Sequence, residues 1–212
     1  MNSFLFHAFN KSIAGYKIFS TPNDFMRMQL LLKYFQICER KPTFSDFLKN
    51  HPQDPIFHLL EFFKDKSCNI KLIAYCIMPT HLHLAIEATD PAHVSKFTNN
   101  IFNSYTRYFN LNHKRLGPLW QGRTKKVACT SDEQLLHLTR YIHLNPVTAY
   151  LVDSPEKWPW SSYHEYMEKE TALPICEFKQ RVGLTPKIYA EFVSSQIDYQ
   201  RSLAHLKPFL TA

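Results

Sequence analysis

The fold is decided by the stretch IKLIAYCIMPTHLHLAIE, residues 70–87. Both halves are rich in apolar and β-favouring residues, and a Pro-Thr pair interrupts them, so the stretch predicts one broken strand or two strands joined at the break. His81 and His83 are two residues apart in the second half. Successive side chains of a strand point to opposite faces, so both imidazoles project from one face. Leu82 and Leu84 alternate with them, and we expect the histidines to face away from that apolar layer.

A helix is predicted further along the chain. Ser131 and Gln134 have the spacing of a capping box, in which Ser131 caps the helix and Gln134 reaches back to it. We expect the helix to end near Leu144, because Pro146 disfavours a helical conformation for the residue before it.

The end of this predicted helix is the stretch YIHLNP, residues 141–146. Tyr141 and Asn145 are four residues apart and therefore share one helix face. With His81 and His83 they supply two imidazoles, an amide oxygen and a phenol. Such ligands suit a divalent ion that keeps positions open for phosphate oxygens, and a phenol suits a nucleophile. The set indicates metal-assisted chemistry on a phosphodiester, and therefore on nucleic acid.

Other residues compete for these roles. His137 and His143 lie on the same predicted helix and are rival metal ligands. Tyr105 and Tyr108 are rival nucleophiles, although their place in a helical apolar stripe favours core packing. Tyr141 itself has an alternative interpretation as a half-buried core tyrosine.

A basic segment, KRLGPLWQGRTKK at residues 114–126, lies between the two stretches. Cations interleaved with an aromatic ring suit a single-stranded nucleic acid, since the cations meet phosphates and the ring stacks on a base. The alternative is a solvated loop. The candidate DNA-binding residues are Lys114, Arg115, Trp120, Arg123, Lys125 and Lys126.

Composition agrees with a polyanionic partner. The chain has 212 residues and a formal net charge of +7, which favours nucleic acid, although solubility alone also explains such an excess. The 5 cysteines form no C-x-x-C pair, which argues against a disulfide framework or a thiolate zinc site and for a reducing compartment. No apolar run is long enough to span a membrane. We therefore expect a cytoplasmic protein without a membrane span.

The rest of the chain alternates between strand and helix patterns. The predicted elements are a strand over 4–9, a helix over 25–38, an irregular insertion with one short helix over 39–67, a helix beginning at Asp90-Pro91, a strand over 126–129 and a helical segment after residue 165. This order predicts an α+β fold with a ferredoxin-like antiparallel sheet. We expect helices packed on one face of the sheet and a helical C-terminal extension.

Several stretches, taken together and in order, resemble a known family. The run MPTHLH at 78–83 resembles the histidine–hydrophobic–histidine signature of HUH nucleases. The whole series is similar in order and spacing to the single-tyrosine enzymes called REP-associated tyrosine transposases. Its other members are FHAFNK at 6–11, YTRYFN at 105–110, GPLWQGR at 117–123, YIHLNP at 141–146 and WSSY at 160–163.

The resemblance implies roles for the matching residues. His81 and His83 match the metal-binding histidines, Tyr141 matches the nucleophile, and Asn145 occupies the place of the third, helix-borne ligand. It also implies magnesium or manganese as cofactor and single-stranded DNA, often at hairpin ends, as substrate. Thr80 departs from the asparagine or glutamate that commonly precedes the first histidine.

We therefore expect residues 1–165 to form a catalytic domain of this type and residues 166–212 to form a helical extension of unassigned role. The expected function is that of a transposase. It is a metal-dependent single-stranded DNA endonuclease and strand transferase that forms a 5′-phosphotyrosine, acting as a monomer or homodimer. One alternative is a non-catalytic single-stranded nucleic-acid-binding domain of the same fold. Another is a metal-dependent hydrolytic nuclease in which Tyr141 merely packs.

Overall fold

The computed structural model of the protein describes residues 3–37, 42–64 and 68–202. Its strands are β1 (Phe4–Lys11), β2 (Ile70–Met78), β3 (His81–Ala88) and β4 (Lys125–Cys129). Its helices are α1 (Pro22–Tyr34), α2 (Phe44–Asn50), α3 (Pro55–Phe63), α4 (Pro91–Asn112), α5 (Asp132–Thr148), α6 (Tyr163–Tyr166), α7 (Lys179–Val182) and α8 (Pro186–Ser194).

The four strands form one antiparallel sheet in the order β2-β3-β1-β4. The central pair, β1 and β3, sets Phe9 opposite His83 and Lys11 opposite His81. With α1 between β1 and β2 and α4 between β3 and β4, the chain has the strand–helix–strand repeat of a ferredoxin-like fold. The predicted fold class is confirmed, and of the two alternatives for residues 70–87 the structure shows two strands.

Helices cover both faces of the sheet, so the prediction of helices on one face was wrong. Leu72 and Leu84 belong to a core on the α1 and α4 side. Ala74 and Ala85 belong to a second core that includes α5 and the C-terminal helices. The physical reason is that β2 is buried on both of its faces, and apolar surface on either side of a sheet must be covered.

Capping side chains mark the helix starts, as predicted for α4. Thr21 and Asp24 form a capping box at α1, and Asp90 accepts a hydrogen bond from the amide of Ala92 with Pro91 in the first turn of α4. The helix predicted over 25–38 begins earlier and ends at Tyr34. Its predicted last residue, Cys38, lies outside the described residues.

The insertion over 39–67 contains two short helices, α2 and α3, rather than the single one predicted. Each has its own capping side chain, because Thr43 accepts from the amide of Asp46 and Asp54 accepts from that of Phe57. Residues 39–41 and 65–67 of this region lie outside the described residues.

Helix α5 continues through Pro146 to Thr148, which corrects the predicted end near Leu144. A proline in a helix removes one backbone hydrogen bond. Here Leu144, Pro146 and Val147 are all buried, and their packing offsets that loss. At the start of the helix, Ser131 is the cap as predicted.

The segment after residue 165 packs against both cores. Ile175 joins the α1 and α4 side, whereas Tyr189 and Val193 of α8 join the core of α5. The division of the chain at residue 165 stays a prediction. Across the described ranges, no helix combines the length and the apolar character needed to cross a bilayer.

Candidate active site

The two histidines predicted as metal ligands lie side by side on β3. Their ring centroids are 5.1 Å apart and the rings are perpendicular. His83 is buried and His81 is half-buried. Because residues two apart share a face, both project to the side of the sheet that α5 covers.

Tyr141 of α5 meets these histidines. Its ring centroid lies 5.5 Å from that of His83, with the rings nearly perpendicular at 84°. A second edge-on contact joins it to His7, with centroids 6.0 Å apart. The fold therefore brings the predicted nucleophile to the predicted metal ligands, although they are distant in sequence.

Asn145 lies one helical turn after Tyr141 and therefore on the same face of α5. Its Nδ2 donates a hydrogen bond to the carbonyl oxygen of Tyr141 at 3.2 Å. This bond fixes the orientation of the side-chain amide, so that Oδ1 is the atom able to serve as a ligand.

His7 is a site residue that the sequence interpretation missed. Its Nε2 lies 2.9 Å from Nδ1 of His83, and the two rings stack. Burial lowers the pKa of His7 to about 4, so the ring is neutral near neutral pH and carries one acceptor nitrogen. The sequence predicts its strand over residues 4–9 but gives His7 itself no role. The alternation of His7 with Ala8 was the available signal, but it becomes informative only once the pairing of β1 with β3 is known.

The residues present fit a divalent metal ion. Nδ1 of His81 lies 2.9 Å from Oγ1 of Thr80, and Nδ1 of His83 is engaged by His7, so each ring would coordinate through Nε2. Metal-binding imidazoles usually make such a second hydrogen bond, which holds the ring in place. Among the described residues, no group of three His, Cys, Asp or Glu side chains could hold a metal. Asn145 is therefore the candidate for a third protein ligand, and its amide oxygen suits magnesium or manganese.

The rival metal ligands have structural roles. His143 is fully buried and bonded through Nδ1 to the hydroxyl of Tyr189 at 2.7 Å and through Nε2 to that of Ser162 at 2.8 Å. Burial lowers its pKa to about 3. His137 lies against Arg140, with 2.7 Å between Nδ1 and the guanidinium.

The rival nucleophiles lie on the other side of the sheet. The hydroxyl of Tyr105 donates to the carbonyl of Ile18, and that of Tyr108 donates to Asp24 at 3.2 Å. Burial raises the pKa of Tyr105 far above its usual range, which opposes the phenolate that attack requires.

The basic segment divides into a structural part and an exposed part. Trp120 is buried, and its Nε1 donates to Oγ1 of Thr106 at 3.1 Å, so the prediction that it stacks on a base was wrong. The ring instead packs against Phe102. Arg115 donates to the Pro118 carbonyl at 2.6 Å and thereby holds its own loop.

The remaining cations of the segment are exposed. They are Lys114, Arg123, Lys125 and Lys126. Lys114 follows α4 with a left-handed backbone, φ 49°, and Lys126 contacts Oγ of Ser95.

Arg123 and Lys125 border a cavity of about 350 Å³ between β1 and the segment that leads into β4. We call it the basic pocket, and its lining residues are Phe9, Asn10, Lys11, Gln121, Arg123 and Lys125. The ring of Phe9 lies 5.7 Å from that of His83. The pocket therefore adjoins His83, the histidine whose ring contacts Tyr141.

A ferredoxin-like sheet with a His-x-His strand beside a helix-borne tyrosine is the arrangement that the resemblance to single-tyrosine HUH enzymes led us to expect. Residues 35–145 match the family described as IS200-like transposases. This match spans more than half of the chain, and the chain belongs to that family.

Two individual relatives agree with this family assignment. A Haemophilus influenzae protein assigned as a REP-associated tyrosine transposase is 29% identical over an alignment of 109 residues, which covers 46% of this chain and 61% of the relative. The chain thus covers less than two thirds of that protein. A solved REP-associated tyrosine transposase bound to a REP hairpin superimposes with a TM-score of 0.50 and 16% identity, over 83% of this chain and 88% of the other. At that identity the likeness shows the fold.

Proposed function

We propose that this protein is a transposase that cleaves single-stranded DNA and transfers the cut strand through a covalent bond to Tyr141. The observation that carries the proposal is the contact between the rings of Tyr141 and His83, which sets a phenol beside a candidate metal site. Membership of the IS200-like family supports the same reaction class.

The reaction follows from the chemistry of the phenol. A tyrosine hydroxyl is mostly protonated near neutral pH, so it must lose its proton to attack. The Tyr141 oxygen forms a bond to the scissile phosphorus, the bond from phosphorus to the 3′ oxygen breaks, and that oxygen takes up a proton. The products are a 5′-phosphotyrosine and a free 3′-hydroxyl. Attack by a second 3′-hydroxyl reverses these steps and joins two strands without another energy source.

A divalent ion, magnesium or manganese, would be held by His81, His83 and Asn145 and would supply a Lewis acid for the phosphate oxygens. The chain's own contribution is positional. Hydrogen bonds to Thr80 and His7 hold the two imidazoles in place, and α5 carries Tyr141 and Asn145 on one face.

The basic pocket provides a path for the DNA. Lys11, Arg123 and Lys125 line it beside the histidines, so they suit the phosphates that flank the scissile one. The hairpin bound by the solved relative suggests hairpin DNA as the substrate here, and with it a cytoplasmic location.

The test is a denaturing gel of purified protein incubated with manganese and labelled hairpin DNAs, with Tyr141→Phe beside the wild type. A protein–DNA band that survives denaturation in the wild type alone is the expected result. Cleavage by both proteins without such a band would overturn the proposal and favour a hydrolytic nuclease. Binding without cleavage or a band, with manganese present, would favour the non-catalytic binding domain.

A further inference from the structure

Arg27 of α1 forms no ion pair with any residue in the described part of the chain. Its guanidinium lies over the ring of Phe44, 4.5 Å from the centroid, and 5.1 Å from that of Tyr108. Its Nε atom is buried and has no hydrogen-bond partner. Burial lowers the pKa of Arg27, and the nearby Tyr108 acts in the opposite direction.

A partly buried cation without a counter-charge is costly, and such groups in proteins are normally paired. The side chain borders a cavity of about 490 Å³. Arg107 of α4 also lines this cavity, and so do Asn100, Asn103 and Ser104, whereas no acidic side chain does among the described residues. Asn100, Ser104 and Arg107 recur at helical spacing and therefore share one face of α4. We call this the arginine cavity.

The lining favours an oxyanion. Two guanidinium groups offer planar, forked donors that match phosphate, and amide and hydroxyl groups add further donors. The guanidinium of Arg27 covers one face of Phe44 and one face of Tyr108, which reduces the aromatic surface available to a base.

We propose that the arginine cavity binds backbone phosphates of the DNA substrate, at its double-stranded stem rather than at the cleaved strand. The identity of the ligand as DNA rests on the proposed function. The cavity lies in the α1 and α4 layer, whereas Tyr141 lies on the opposite face of the sheet, so one DNA element cannot occupy both places at once.

Geometry sets the length of DNA needed. A sheet and a helical layer separate the two sites, a distance of about 20 Å or more. Duplex DNA rises about 3.4 Å per base pair, so a stem of about six pairs or more is required to span it.

The experiment measures DNA binding in the Tyr141→Phe protein, so that its result does not depend on catalysis. One probe is a labelled hairpin with a stem of about twelve base pairs and a short single-stranded flank, and the other is the flank alone. Sequence need not be known, because phosphate contacts are independent of it. The variants are Arg107→Gln, which changes an exposed side chain, and Arg27→Gln, with Lys187→Gln as an exposed control of equal charge change.

We expect Arg107→Gln and Arg27→Gln each to weaken hairpin binding several-fold and to reduce the slope of log affinity against log salt by about one, because one phosphate contact is lost. Binding of the flank alone and the Lys187 variant should be unchanged. If the Arg27→Gln protein does not fold, the result for Arg107→Gln alone tests the proposal.

Three results would overturn the proposal. An unchanged hairpin affinity and slope would show that the cavity does not contact the stem, and equal losses with both probes would place the arginines on the cleaved strand. Thermal stabilisation by ATP that disappears in Arg107→Gln, with hairpin binding intact, would identify a free nucleotide as the occupant. Failure of the Tyr141→Phe protein to bind either DNA would instead count against the proposed function and remove this inference with it.

Discussion

Nε2 of His7 lies 2.9 Å from Nδ1 of His83, so the first strand of the sheet directly supports a histidine of the candidate metal site. Because burial keeps His7 neutral, its Nε2 can accept the proton of His83 Nδ1–H and fix the tautomer that coordinates through Nε2. His7 is thus a positioning residue.

Replacement of His7 should weaken metal binding without unfolding the protein. Loss of a hydrogen bond to a ligating histidine typically lowers metal affinity about 10–100-fold, and we expect this range for His7→Phe. Titration with Mn²⁺, followed by the electron paramagnetic resonance of the free ion, measures the affinity. His113→Phe replaces an exposed histidine and is the matched control. Equal Mn²⁺ affinity in the two variants would show that His7 does not support the site.

The basic pocket should contribute to binding of the single strand. For a single strand, each phosphate contact contributes about 0.7 to the slope of log affinity against log salt, so Arg123→Gln and Lys125→Gln should each reduce the slope by about that amount. Fluorescence anisotropy of a labelled oligonucleotide over a range of salt concentrations measures it. Lys187→Gln is again the control, and slopes indistinguishable from its slope would argue against the pocket as the DNA path.

The hydroxyl of Tyr189 connects α8 to α5. It lies 2.7 Å from Nδ1 of His143 and donates to Oγ1 of Thr139 at 2.9 Å, and both partners are buried. Tyr189→Phe leaves His143 and Thr139 without the hydroxyl as a hydrogen-bond partner. This loss should lower the free energy of unfolding by about 1–3 kcal/mol. Urea denaturation measures the change. Tyr199→Phe, at a residue 58% exposed, should have little effect, and a loss of equal size there would mean that the hydroxyl network is not the cause.

Glu165 should make stability depend on pH. Its Oε2 accepts the amides of Ile175 and Cys176, but burial dominates and raises its pKa from 4.5 to about 7. The folded state therefore holds this proton more tightly than the unfolded state. The resulting stabilisation is fully present below the pKa of Glu165 in the unfolded state. It is lost as the pH rises through the pKa of Glu165 in the folded state.

The comparison with Glu165→Gln isolates this effect. Between about pH 5 and pH 8 the stability of the variant relative to the wild type should rise by about 2–3 kcal/mol. Urea denaturation at both pH values tests it. His7 and His143 titrate in both proteins and cancel in the difference, and Glu170→Gln, at an exposed carboxylate, should show no such change. A pH-independent difference for Glu165→Gln would contradict the raised pKa.

Features that depend on local sequence could be predicted. Alternation of His81 and His83 with leucines fixes which side chains share a face, and Asp90 with Pro91 marks a helix start by its own chemistry. The four-residue spacing of Tyr141 and Asn145 likewise needs no knowledge of the fold.

Features that depend on contacts between distant parts of the chain could not be predicted from the sequence. His7 gains its role from the register of β1 against β3, and no property of its own strand reveals that register. Trp120 resembles a base-stacking residue within its basic segment, yet its indole finds a better environment among core rings. Pro146 disfavours a helix locally, whereas burial of its neighbours continues the helix.

Tyr141 and His83 meet within a single polypeptide, and this has a consequence for kinetics. Strand cleavage should be first order in protein, so dilution should leave the rate per molecule unchanged once DNA is bound. Equal amounts of Tyr141→Phe and His83→Ala proteins, mixed together, should not restore cleavage, because neither chain then holds both residues of the site.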